Sequence, residues 1–99
     1  CENIVAYKDA FVGEHFGSIL LAAAPSALWL VMEFCEAGSV QDVMREIGHG
    51  LEEPCIACIC QGILRALDYM HVQCKVIHRD IKCANILLTS AGHVKLADL

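Results

Sequence analysis

The stretch His78-Arg79-Asp80-Ile81-Lys82-Cys83-Ala84-Asn85 gathers three charged side chains, an imidazole and an amide between two apolar runs, Val76-Ile77 and Ile86-Leu87-Leu88. Beyond it, Thr89-Ser90-Ala91-Gly92-His93 carries turn chemistry, with Gly92 available for positive φ, and Val94-Lys95-Leu96 offers a second apolar strand. Residues 86–96 therefore read as a β-hairpin. Two antiparallel strands joined by a short turn bring their open ends together, which places Asn85, before the first strand, near Asp98, after the second.

Both of these residues present oxygen donors. Hard Mg²⁺ takes oxygen ligands and commonly uses one or two side chains, with phosphate oxygens and water completing its shell, so the pair suits a metal on a nucleotide. Asp80, five residues before Asn85, falls within reach of the same place. Taken singly these residues say little, because Asp and Asn near strand ends are usually turn formers and His-Arg-Asp is short enough to recur by chance. The joint pattern carries the argument: His-Arg-Asp, Lys two residues after the Asp, Asn five after it, an apolar strand, and a second Asp at the far end of a hairpin.

Working outward, Ile56, Ile59, Ile63, Leu67 and Met70 form a stripe at intervals of three and four that predicts a helix from near Pro54 to about His71, with Leu64 and Cys60 widening its buried face. Gly62 inside it is unfavourable by about 1 kcal/mol relative to Ala, which points to close packing against a neighbour. A shorter helix is predicted after Ser39, a good N-cap with Asp42 three residues on; Val40, Val43, Met44 and Ile47 follow, and Gly48 closes it. Residues 3–12 read as a strand, and Leu28-Trp29-Leu30-Val31-Met32 as a fully buried one. Gly38 suggests a break in regular structure.

Composition narrows the functional classes. The chain of 99 residues is 57% apolar and 19% charged, with a net charge of −5. Residues 1–53 hold two cations against nine acids, and residues 54–99 hold five cations against three acids. No basic stripe exists to neutralise a phosphate backbone, so nucleic acid is not an expected partner. Seven cysteines with no signal peptide read as reduced, mostly buried thiols of a cytoplasmic protein. Cys55-x-x-Cys58-x-Cys60 lacks the second close pair that a zinc site needs. From His15 to Met32 no residue is formally charged, but Gly17, Ser18, Pro25 and Ser26 interrupt the run. We expect two short buried strands joined by an Ala/Pro/Ser loop there, and no membrane span.

The chain starts at Cys1 rather than Met and stops one residue past Asp98, and it is expected to be cut at both ends. From Asn3 to Leu99 it resembles a protein-kinase catalytic domain. Leu28-Trp29-Leu30-Val31-Met32-Glu33-Phe34-Cys35, Ala37-Gly38-Ser39-Val40 and His78-Arg79-Asp80-Ile81-Lys82 look most like the sterile-20-like group, especially its germinal-centre-kinase branch. The resemblance implies an α+β, bilobal kinase-like fold, with residues 1–32 ending the N-lobe, 33–38 forming the hinge and 39–99 starting the C-lobe. It implies ATP and Mg²⁺ as cofactors, a protein substrate with a Ser or Thr acceptor, and the remainder of the kinase domain as a partner.

Carried over by position, the resemblance makes Asp80 the catalytic base and has Lys82 steady the transferred phosphate. Asn85 and Asp98 hold magnesium. Lys82 in place of the tyrosine-kinase pattern implies Ser/Thr specificity. Glu33 and Cys35 would meet the adenine edge through their backbone, Met32 would guard the back pocket, Leu87 would floor the adenine, and Ser39 would lie on the ribose side as well as cap its helix. His78 would pack in a spine with Tyr7 and Leu99, and Arg79 would pair with a phosphorylated activation segment. Leu99 stands where most of the family has Phe, and an apolar Leu can fill that place.

No glycine-rich phosphate loop, strand Lys with a helix Glu partner, or activation segment is present in the 99 residues. The long Val12-to-Ala27 connection also departs from the usual short turn. The chain alone is therefore expected not to turn over. A non-catalytic kinase-like scaffold is the alternative reading, followed by a membrane-anchored or metal-binding peptide resting on residues 15–32 and the cysteine cluster.

Overall fold

The computed structural model describes residues 1–13, 15–16, 19–20 and 27–98. In order, the elements are β1 (Tyr7–Gly13), β2 (His15–Phe16), β3 (Ile19–Leu20), β4 (Ala27–Met32), β5 (Gly38–Ser39), α1 (Val40–Ile47), α2 (Glu53–Asp68), β6 (Ile86–Leu88) and β7 (Val94–Leu96). The mixture is α+β. It divides into an antiparallel β1–β4 ribbon, a small β2–β3 pair, and a sheet ordered β5-β6-β7 on which α2 packs.

α1 starts where the sequence places its cap. Ser39 is extended, its Oγ accepts the Asp42 N–H at 3.0 Å, and the Asp42 carboxylate accepts the Ser39 N–H at 3.0 Å. This reciprocal box satisfies two donors that the helix itself cannot. At the other end Gly48, with φ +79°, donates its N–H to the Met44 carbonyl at 2.9 Å. Gly38 does more than interrupt. At φ +79° it turns the chain into β5, pairing with Leu88 while Ser39 pairs with Leu87.

α2 has Glu52 as N-cap and Pro54 in its first turn. It does not stop near His71 but runs on through a π-helical segment, Tyr69–Cys74, to Lys75 at φ +58°. A π turn takes one more residue than an α turn over the same length, so it widens the helix just before the chain leaves for residues 78–85. Its buried face is also narrower than expected: Gly62, Ile63, Ala66 and Met70 are buried, whereas Leu64 is 65% exposed and Cys60 is exposed. Small residues decide this, because a Cβ on Gly62 would lie 2.9 Å from Val94 Cβ and 3.2 Å from Asn3 Nδ2. The helix approaches β7 along its glycine, and Leu64 faces away.

Val40, Ile63, Ala66, Met70, Ile86, Val94 and Leu96 form the core between α1, α2 and the hairpin. Cysteines contribute little to it. Cys35 is buried, but the other six are exposed and all seven are free, which corrects the expectation of mostly buried thiols. The cysteines of α2 lie off its packed face. Glu53–Cys74 is 22 residues long and apolar enough to cross a membrane by length and composition, but its Gly62–Met70 face is buried on the hairpin. Among the described residues no three His, Cys, Asp or Glu side chains converge as a metal site.

The strand expected over residues 3–12 divides between two partners. Leu96 N–H donates to the Asn3 carbonyl at 2.8 Å and Val5 N–H to the Leu96 carbonyl at 3.0 Å. Only from Tyr7 does the chain pair with β4, in a register of Phe11 with Trp29 and Val12 with Leu28. The Phe11 and Trp29 rings stack with centroids 6.4 Å apart. β4 forms as predicted but is not fully buried: Leu28, Leu30 and Met32 are 66%, 51% and 46% exposed. Alternation puts these three on one face, which no layer covers among the described residues. In the stretch expected to hold two buried strands and a loop, β2 and β3 pair with each other, and the Ala22-Ala23-Ala24-Pro25-Ser26 loop lies outside the described residues.

Gly62→Ala tests the α2–β7 contact. Helix propensity alone favours Ala by about 1 kcal/mol, but the clash with Val94 is expected to reverse the sign and destabilise by about 1–3 kcal/mol. Denaturant unfolding measures it, and a gain in stability would refute the close approach.

Candidate functional site

The hairpin register pairs Ile86 with Leu96 and Leu87 with Lys95, and the Ala97 N–H then extends the ladder by donating to the Asn85 carbonyl at 2.8 Å. Asn85 itself ends a 3₁₀ turn, Cys83–Asn85. Asn85 and Asp98 thus arrive together, and both line one cavity of about 380 Å³ with Val5, Tyr7, Leu30, Met32, Glu33, Leu87 and Ala97. Asp98 has φ +61°, a conformation that Asp tolerates better than most side chains.

The loop beside this cavity is built around a buried histidine. Asp80 N–H donates to His78 Nδ1 at 3.0 Å, so the ring's proton sits on Nε2, which donates to the Ala97 carbonyl at 2.6 Å. Between buried His78 and exposed Asp80, Arg79 reverses the chain at φ +78°. A non-glycine residue there stores strain of about 1–3 kcal/mol, held by the two bonds of His78. The expected packing of His78 with Tyr7 and Leu99 falls partly on Leu99, which lies outside the described residues. Tyr7 is 49% exposed and faces the cavity.

Asn85 fixes Asp80 in turn. Its Nδ2 donates to the Asp80 carbonyl at 2.9 Å and to Asp80 Oδ2 at 3.1 Å, and Lys82 Nζ stands 3.4 Å from the same Oδ2. With its Nδ2 directed at Asp80, Asn85 has no partner on Oδ1 among the described residues, and neither has Asp80 on its own Oδ1. Asn85 and Asp98 line the same cavity, and each carries side-chain oxygen of the kind that Mg²⁺ favours.

At the cavity's other end the chain crosses from β4 to β5. Glu33 N–H donates to the Ala6 carbonyl at 2.8 Å and Gly38 N–H to the Cys35 carbonyl at 3.0 Å. Among the described residues this leaves the Glu33 carbonyl and the Cys35 N–H as one open acceptor and one open donor. Cys35 is buried, does not line the cavity through its side chain, and has its thiol pushed up by desolvation. Ser39 is buried away from the cavity, with Oγ engaged on Asp42. Asp80 and Lys82 lie outside the cavity lining, linked to it through Asn85.

The protein kinase domain profile matches residues 1–99. The chain belongs to the protein kinase domain family. It is 48% identical over 91 residues to Misshapen-like kinase 1 of Rattus norvegicus, covering 88% of this chain and 7% of that protein. Serine/threonine-protein kinase 10-A of Xenopus laevis is 47% identical over 91 residues (90% and 10%), and serine/threonine-protein kinase mig-15 of Caenorhabditis elegans is 46% identical over 97 (97% and 8%). These relatives agree with the resemblance to sterile-20-like kinases. The chain spans about a tenth or less of their length.

Two contacts of this kinase segment had no local signal in the sequence. Glu33 Oε1 accepts the Ala6 N–H at 2.9 Å and lies 3.4 Å from Lys95 Nζ, and Glu36 Oε1 accepts the Ser90 N–H at 2.7 Å and its Oγ–H at 2.6 Å. The Ala6 N–H holds the Glu33 carboxyl below the ordinary range against its desolvation, with Lys95 assisting. The Ser90 hydroxyl and N–H do the same for Glu36, and the Ser39 N–H for Asp42.

In all three the folded-state value lies below the unfolded one. Their stabilisation is therefore complete above the ordinary carboxylate range and is lost as pH falls through the lowered values. Thermal midpoints taken from neutral pH downward should fall in that acid window, and Glu36→Gln should flatten the fall. An unchanged slope in the variant would refute the assignment.

Proposed function

We propose that this chain supplies the hinge, the transfer loop and the metal-binding hairpin of an ATP-dependent protein serine/threonine kinase. One observation carries the reading: Asn85 orients Asp80 through its amide nitrogen while lining one cavity with Asp98, Leu87 and Glu33.

In this reading the Asp80 Oδ1 left free by Asn85 and Lys82 orients a Ser or Thr hydroxyl and accepts its proton. The Lys82 ammonium, beside Asp80, attracts the anionic group as it moves between oxygens. Asn85 and Asp98 would hold Mg²⁺, which when bound neutralises charge on phosphate oxygens. Met32 and Leu87 give apolar surface to a purine, and the Glu33 carbonyl and Cys35 N–H match the donor and acceptor of an adenine edge. Ser39 contributes its cap and shapes the turn into α1. Positioning and electrostatics supply nearly all of this chemistry, so the 99-residue chain by itself is expected to give no Asp80-dependent turnover.

Phosphate transfer from ATP to a generic protein substrate by the full-length protein tests the proposal. Asp80→Asn is expected to lower kcat by about 10²–10⁴-fold with an unchanged thermal midpoint. Asn85→Ala should raise the magnesium concentration needed for half-maximal rate. Turnover that survives Asp80→Asn, or a wild-type protein without transfer, would favour a non-catalytic scaffold instead.

A further inference from the structure

Lys95 stands directly across from Leu87 in the β6–β7 register, and paired residues of an antiparallel ladder project to the same face. That face carries Leu87 into the cavity, so the Lys95 stem runs beside the cavity floor and its ammonium ends 3.4 Å from Glu33 Oε1. The two side chains are 11% and 23% exposed, so solvent screens them less than an ordinary surface pair. Glu33 is held independently on its other side: its N–H and its Oε1 both bond the Ala6 backbone, at 2.8 and 2.9 Å. Three residues after Lys95, just past the end of β7, the chain reaches Asp98.

We propose that Glu33 and Lys95 form a positioning pair that fixes the adenine-facing hinge against the strand delivering Asp98. This rests on the kinase reading above and concerns side chains that touch neither reacting group. Without the Lys95 charge, the hinge loses its tie to β7. That loss weakens nucleotide binding more than the transfer step.

Steady-state kinetics on the full-length protein separate these consequences. Lys95→Met, which keeps most of the stem, is expected to raise the KM for ATP about three- to tenfold while the KM for the protein substrate stays in place. Glu33→Gln, which retains an acceptor for the Ala6 N–H, should move the same constant in the same direction. The double variant should be no worse than Lys95→Met alone, because the two changes remove one interaction. Unmoved ATP constants, or single effects that add in full, would overturn the pair. A fall in kcat with both KM values unmoved would indicate lost folded enzyme and overturn it too. Should Lys95→Met fail to fold, Glu33→Gln gives the same readout. A wild-type protein that binds no ATP would overturn the kinase reading and the pair with it, whereas wild-type binding that the variants match overturns the pair alone.

Discussion

The backbone of Ala97 is held at both of its polar groups: its N–H reaches the Asn85 carbonyl at 2.8 Å, and its carbonyl takes the His78 Nε2–H at 2.6 Å. The first bond adds a rung to the hairpin beyond Ile86 and Leu96 and brings Asn85 level with Asp98. The second anchors the start of the polar loop to the end of β7. Because His78 Nδ1 also receives the Asp80 N–H, one imidazole sets the distance between strand end and loop. Asn85 then reaches Asp80 with both amide hydrogens only because both residues are already in place. His78 is buried, so breaking either of its two bonds leaves a desolvated ring nitrogen unpaired, and that penalty specifies one geometry.

The hairpin serves the core and the cavity at once through its period of two. Ile86, Val94 and Leu96 point into the core beneath α2, while Leu87 and Lys95 occupy the opposite face, toward Glu33. Gly62 matters here because the distance at which α2 lies on β7 sets where the other face of β7 presents Lys95. Packing below and chemistry above are thus coupled across a single layer of backbone.

How much of this was legible depends on how local the deciding interaction is. The Ser39–Asp42 box, the Gly48 cap and the 86–96 hairpin rest on residues within a few positions of one another, and pattern alone places them. Gly62 could be read as a close approach but not as the reason why Leu64 turns outward, which depends on Val94 and Asn3. Apolar composition misled for β4 and for the cysteines. Burial depends on whether another layer covers a face, and hydropathy records only that a face is suited to cover. The π-helical end of α2 has no periodic signature in so short a run. In the site, Asn85 and Asp98 followed from hairpin geometry, whereas the Glu33 and Glu36 contacts join residues far apart in sequence and leave no spacing to read.

Those two contacts also give the uneven charge of the chain a structural meaning. The first 53 residues carry nine of the twelve acids, and the segment crossing from β4 to β5 places two of them, Glu33 and Glu36, against the cation-richer second half. Glu33 finds Lys95, and Glu36 finds the Ser90 N–H and hydroxyl in the β6–β7 turn. With the Ala37 N–H on the Leu88 carbonyl at 3.1 Å between them, the crossing segment is fastened to the hairpin at its middle, its turn and its outgoing strand. A segment fastened at three points cannot slide along the hairpin without breaking all of them.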